Sequence, residues 1–120
     1  MKKIAMIAHD GKKADIVAFA KDHLSLLKKF ELYATRSTGE MLIKKCKLKV
    51  NQVHSGPLGG DTEIAAMVVR GEIEGVIFIV DPLDKHPHDP DIQSLQRVCN
   101  VHNVALATNI RTAELLVKNL

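Results

Sequence analysis

Short apolar runs alternate with helical stripes along this chain. KIAMIA (Lys3–Ala8), ELYA (Glu31–Ala34), VNQV (Val50–Val53), GVIFIV (Gly75–Val80) and VALA (Val104–Ala107) have strand length. Between them Ile16, Ala20, Leu24 and Leu27 recur at helical spacing. So do Ile92, Leu95, Cys99 and His102, and again Ala113, Leu116, Val117 and Leu120. Met41, Leu42 and Ile43 mark a short helix after Gly39, and Ile64 to Val69 mark another that Gly71 ends. Alternating strands and helices predict one α/β domain over residues 1–120. Its core is a doubly wound, five-stranded parallel sheet with helices on both faces. GVIFIV is apolar at every position but the first, which suits a central strand.

In such sheets ligands bind outside the carboxyl ends of the strands, so the segments after each run matter most. They read HDGKK (9–13), TRSTG (35–39), HSGPLGGD (54–61), DPLDKHPHDPD (81–91) and TNIRT (108–112). Hydroxyls, glycines, a lysine, histidines and aspartates thus gather on one edge. Thr35, Ser37, Thr38 and Gly39 open a helix, whose free N–H groups attract an anion. Ser55 and Gly56 offer a second hydroxyl and further N–H groups, and Lys13 could supply a cation. Plain helix capping by Ser and Thr explains the same residues equally well. No Walker motif is present. Asp61, after three glycines and a proline, either caps its helix or is held over whatever the glycine backbone binds. Asp89 and Pro90 look like the cap and first position of the helix that follows. His86 and His88, with His9, have spacing a metal could use, but the surrounding hydroxyls favour an organic anion. His23, His54 and His102 read as surface or packing residues.

Composition narrows the picture. Apolar residues make up 46% of the chain and aromatics 3%, with no Trp, so the core is aliphatic. The net charge is +3, with the lysines dispersed. Few rings are available to stack on bases, so no nucleic-acid partner is expected. Cys46 and Cys99 have no C-x-x-C spacing and read as buried free thiols in a reducing compartment. A strand starting almost at Met1 leaves no room for a signal peptide. No apolar run approaches the roughly 20 residues of a membrane helix. A cytoplasmic chain with no membrane partner is expected.

AHDGKK, LYATRSTG, SGPLGGD, DPLDKHPHDPD and ATNIRTA together resemble the successive strand-end motifs of the methylglyoxal synthase family, from about residue 3 to the C-terminus. The resemblance implies conversion of dihydroxyacetone phosphate to methylglyoxal and inorganic phosphate without metal or cofactor. It also implies a homohexamer inhibited by phosphate. By position it makes Asp61 the catalytic base and His88 its electrophilic partner, with Asp91 close by. His9 and Lys13 fall on binding positions, Thr35 to Thr38, Ser55 and Gly56 on the phosphate cradle, and Asp10 and Asp81 on supporting acids. Arg36 departs from the family's T-G-T-T-G, placing a charge where glycine is expected.

The chemistry suits the residues. A proton alpha to a ketone is weakly acidic, so its removal needs a positioned base and a group that stabilises the enediolate oxygen. Asp61 is therefore expected to cap its helix and act as base at once. Two non-enzymes share the architecture. One is an effector-binding module of larger synthetases, against which Asp61, His88 and Asp91 argue. The other is a response-regulator receiver, whose acceptor Asp and Lys are missing from HSGP and TNIR.

Overall fold

The computed structural model describes residues 1–83 and 90–120, with the side chains of Pro90 and Asp91 outside that description. Its strands are β1 (Lys3–Ala8), β2 (Glu31–Ala34), β3 (Val50–Gln52), β4 (Gly75–Ile79) and β5 (Ala105–Ala107). All pair in parallel in the order β3-β2-β1-β4-β5. Met6 lies opposite Ala34 on one side and Ile77 on the other, so β1 holds the middle of the sheet. The helices are α1 (Lys13–Asp22), α2 (Leu24–Leu27), α3 (Arg36–Cys46), α4 (Gly60–Val69), α5 (Pro90–His102) and α6 (Ile110–Asn119). Short 3₁₀ turns, Asp10–Lys12 and Gly56–Leu58, precede α1 and α4.

The strand period of two explains how β1 serves two cores. Ile4, Met6 and Ala8 point to a layer built with Ile16, Val17 and Phe19 of α1, Leu42 of α3, and Leu116 and Val117 of α6. Ala5 and Ile7 point to the other, with Ile64, Met67 and Val68 of α4 and Leu95 and Cys99 of α5. All of β4 is buried, as its apolar sequence requires. This is the doubly wound sheet expected, with each strand within a residue of its apolar run. Among the described residues no helix is long and apolar enough to cross a membrane. Cys46 and Cys99 are free and buried, and burial pushes both thiols above their usual pKa.

The helix expected across Ile16–Leu27 is two helices. His23 has φ −125° and ψ 28°, and its Nδ1 hydrogen-bonds the Phe19 carbonyl at 2.8 Å. That carbonyl is the one the His23 backbone N–H would take in a continuing helix; the N–H turns to Ala20 O instead, at 3.2 Å. The imidazole also stacks on Phe19, with centroids 4.7 Å apart. Side-chain competition ends α1, and Leu27 reaches the core from α2.

The helix placed after Gly39 in fact starts at Arg36, so the hydroxyl cluster forms its first turn. There Thr38 is fully buried, and its Oγ1 accepts the Ala8 backbone N–H at 3.3 Å. This bond fastens the end of β1 to α3. Thr38→Val keeps the shape and leaves that buried N–H without an acceptor. The variant should lose about 1–3 kcal/mol of stability, read as a lower urea midpoint.

Candidate functional site

Helices from β1 and β4 leave toward opposite faces of the sheet, which opens a crevice at the carboxyl ends of these two neighbours. His9 follows directly on β1 at this edge. Its backbone N–H bonds Ile79 O at 3.1 Å, and its Nδ1 accepts the Asp81 backbone N–H at 3.0 Å. Its ring meets Phe78 edge-on, with centroids 5.1 Å apart. With Nδ1 accepting, Nε2 is the ring nitrogen left to donate. The Asp81 carboxylate turns back to accept the Leu83 N–H at 3.1 Å. It packs over Gly11, where an added Cβ would lie 2.5 Å from Oδ2. Glycine at this position lets the acid sit against the loop.

Lys13 joins two of the expected loops. Its Nζ donates to Asp10 Oδ1 at 2.6 Å and to Ser37 Oγ at 2.7 Å. The lysine side chain is only 16% exposed, whereas that of Asp10 is 97% exposed. A cation and a hydroxyl are thereby set at the N-terminus of α3, beside N–H groups that lack helical partners. Thr35 supplies the extended residue before that helix (φ −62°, ψ 157°), and its hydroxyl lies 3.5 Å from that of Thr38. Both threonines are buried, while Ser37 faces out.

Arg36 needs no glycine backbone, because it occupies the first turn of a regular helix. Its side chain is exposed and pairs with Glu40 at 3.5 Å. Its carbonyl accepts the Gln52 Nε2 at 2.9 Å, and the Gln52 stem packs on Gly39, where a Cβ would lie 2.7 Å from it. Gln52, unremarked in the sequence, is thus the strap across that turn.

The third loop is a closed knot. The Ser55 carbonyl accepts the N–H groups of Leu58 at 3.0 Å and Gly60 at 2.9 Å, and Gly56 O accepts that of Gly59 at 3.0 Å. Gly59 has φ +96°, which favours glycine. Space lies open around Gly56, so its backbone can be approached closely. Asp61 is not the helix cap expected of it. Gly59 holds that position, and Asp61 sits in the first turn of α4. Freed from capping, Asp61 is a half-buried residue whose carboxylate has no hydrogen bond or ion pair among the described residues. His88 lies outside the described residues, as do His86 and the Asp91 side chain.

His54 is a surface residue, as expected, with its side chain 69% exposed, and it also pairs with Glu63. Its backbone N–H donates to Glu63 Oε1 at 3.2 Å, and its Nδ1 pairs with the same oxygen. This contact holds the Glu63 carboxyl below its ordinary pKa of 4.5. Since folding lowers that value, the contact favours the folded loop above pH 4.5 and fades as pH falls through the lowered value. The readable signal was a glutamate in the first turn of a helix that follows a glycine turn. Among the described residues no cluster of three His, Cys, Asp or Glu side chains is placed to hold a metal ion.

The arrangement can grip an anion with Lys13, Ser37, the α3 N-terminus and the Ser55–Gly56 turn. It sets the Asp61 carboxylate, unpartnered among the described residues, and the His9 imidazole at the same end of the sheet. The family profile described as MGS-like domain matches residues 15–108. The methylglyoxal synthase of Clostridium beijerinckii is 51% identical over 97% of this chain and 98% of its own. That of Carboxydothermus hydrogenoformans is 52% identical over 100% of this chain and 99% of its own. The crystal structure of methylglyoxal synthase from Elizabethkingia anophelis superposes with a TM-score of 0.93 at 38% identity, covering 98% of this chain and 78% of that one.

Gly60 faces the strictest packing in the site, because a Cβ there would overlap the His54 carbonyl. Gly60→Ala should cost about 1–3 kcal/mol in a chemical denaturation experiment, by the usual cost of overpacking.

Proposed function

The chain belongs to the methylglyoxal synthase family, and we propose that it converts dihydroxyacetone phosphate to methylglyoxal and inorganic phosphate with Asp61 as base. The observation that carries this reading is the half-buried residue Asp61, its carboxylate unpartnered among the described residues, at the same sheet edge as Lys13 and Ser37. Phosphate binds between Lys13, Ser37, the first turn of α3 and the Ser55–Gly56 turn. Thr35 and Thr38 support this cradle from below. Arg36 lends a positive charge at its rim, and Asp10 and Asp81 hold Lys13 and the first loop in place.

Asp61 takes a proton from the hydroxymethyl carbon, and its electron pair forms the enediolate with the neighbouring carbonyl. His9 Nε2 and His88 donate to the enediolate oxygens, with Asp91 beside them. The enediolate electrons then re-form a carbonyl and push the double bond toward the phosphate-bearing carbon. The C–O bond breaks with its electron pair on the departing phosphate, and the enol left behind becomes methylglyoxal. No metal or cofactor takes part. The enzyme works in the cytoplasm as a homohexamer, and inorganic phosphate, competing for the same cradle, is an inhibitor as well as a product. An effector-binding module of the same fold would need the cradle and not an Asp61 left unpartnered among the described residues.

Dihydroxyacetone phosphate should yield methylglyoxal and free phosphate in equal amounts, assayed together. Stoichiometric glyceraldehyde 3-phosphate without phosphate release would overturn the assignment. Asp61→Asn should lower turnover by about 10²–10⁴-fold, the usual worth of general acid–base catalysis, and still bind a phosphate-bearing analogue. A variant retaining most of its turnover would remove Asp61 from the role of base.

Lys13→Ala should weaken substrate and phosphate binding by about 10–150-fold, the loss of one charge-assisted hydrogen bond. Turnover should fall too, because the leaving phosphate gains charge in the transition state. Unchanged KM, kcat and phosphate inhibition would place Lys13 outside the site.

A further inference from the structure

The Ser55–Asp61 segment carries two functions that must stay in register. Its first residues belong to the phosphate cradle, and its last is the base. Within the segment the bonds are local: Leu58 and Gly60 N–H to Ser55 O, and Gly59 N–H to Gly56 O. None of these ties the segment back to the strand that delivers it. Glu63 does. It lies two residues beyond Asp61 in the first turn of α4, and its Oε1 accepts the backbone N–H of His54 at 3.2 Å while also pairing with His54 Nδ1. The Glu63 N–H is itself fixed to Gly59 O at 3.0 Å. Gly60 closes the ring from inside, since its Cα packs so tightly on the His54 carbonyl that no side chain fits there. The loop is therefore clamped at its neck by one carboxylate oxygen.

We propose that Glu63 is a positioning residue, which grips His54 and so fixes the base Asp61 relative to the phosphate held at Ser55 and Gly56. The inference rests on the functional reading above. It follows from elimination needing two things placed at once: a proton within reach of the base, and a phosphate whose bond to carbon is held in a fixed pose. A neck that opens by an ångström leaves both groups present and out of register, and misplacement on that scale costs about 10²-fold in rate. Glu63 reaches the reaction only through His54 and touches no reacting atom.

The test uses the full chain with Glu63→Leu, which keeps helix propensity and removes the acceptor, and Glu63→Gln, whose amide oxygen still accepts the His54 N–H. Glu63→Ala replaces the leucine variant if that one does not fold. With dihydroxyacetone phosphate, the leucine variant should lose about 10–100-fold in kcat, with KM and phosphate inhibition changed by less than about threefold. The glutamine variant should recover most of that loss. A support needed only for stability would lower the melting temperature and leave kcat per folded molecule alone. Equal kcat in all three proteins, or a glutamine variant as slow as the leucine one, overturns the proposal. Amide exchange at His54 reads the clamp without any chemistry. It should be slow in wild type and Glu63→Gln and fast in Glu63→Leu, and an unchanged rate in the leucine variant also overturns it. Wild-type protein that releases no phosphate would instead sink the functional reading, with His54 exchange still reporting on the clamp.

Discussion

The hydrogen bond from the Asp81 N–H to His9 Nδ1 spans the place where adjacent parallel strands send their helices to opposite faces. A parallel sheet can be covered on both sides only if its connections reverse somewhere, and the reversal leaves the carboxyl ends of β1 and β4 uncovered. The residues proposed for function are arranged around that gap. The loop after β1 supplies His9, Asp10 and Lys13, and the loop after β4 supplies Asp81. Strands β2 and β3, stepping outward from β1, bring the hydroxyl turn and the glycine turn to the same edge. The bond across the gap does a second job by occupying Nδ1, so the imidazole presents Nε2 as its donor.

Binding an anion here depends on charge that is already arranged before the ligand arrives. The Lys13 side chain is only 16% exposed, and Asp10 and Ser37 together hold its ammonium. An ion pair whose acid is so exposed adds little to stability, so its value lies in where it holds the cation. The α3 N-terminus adds N–H groups that point the same way without a side chain. Thr38 works beneath them, spending its hydroxyl on the Ala8 N–H and locking the helix to the strand that carries His9. The grip is rigid because its members are bonded to one another.

Much of this was legible in the sequence, and the parts that were not share a cause. GVIFIV became a strand buried at every position because burial on both faces writes itself into the whole run, whereas β2 alternates and β3 and β5 are partly exposed. The clustering of loops followed from parallel topology alone. The break at His23 was hidden because Leu24 and Leu27 keep the apolar stripe going, and a stripe reports burial, not which donor takes the Phe19 carbonyl. Asp61 looked like a cap because aspartate caps helices well, yet Gly59 reaches a left-handed backbone and takes the position first. His54 lies at the surface as expected, but its contact with Glu63 was hidden because that partner lies nine residues away across a knot that exists only once folded. Thr38 and Ser37 look alike as hydroxyls; helical spacing puts Thr38 in line with buried Leu42 and leaves Ser37 outside. Such choices among neighbouring polar residues are made by tertiary closure.

The same closure bears on the outcome of the reaction. An enediolate formed from dihydroxyacetone phosphate has two exits: return of a proton to the neighbouring carbon, or loss of phosphate. Loss requires the breaking C–O bond to stand perpendicular to the enediolate plane, where it overlaps the electrons that expel it. A single cation could bind the phosphate and still let it rotate about that bond. In the proposed site, donors from two loops, one anchored to α3 through Lys13 and Ser37 and the other knotted ahead of α4, would restrain the rotation and meet the charge that grows on the leaving oxygen. On the proposed reading, selection between exits depends on how stiffly the two loops are joined. The buried Thr38 hydroxyl, the Gln52 strap and the packed Gly60 would then serve the chemistry as well as the fold.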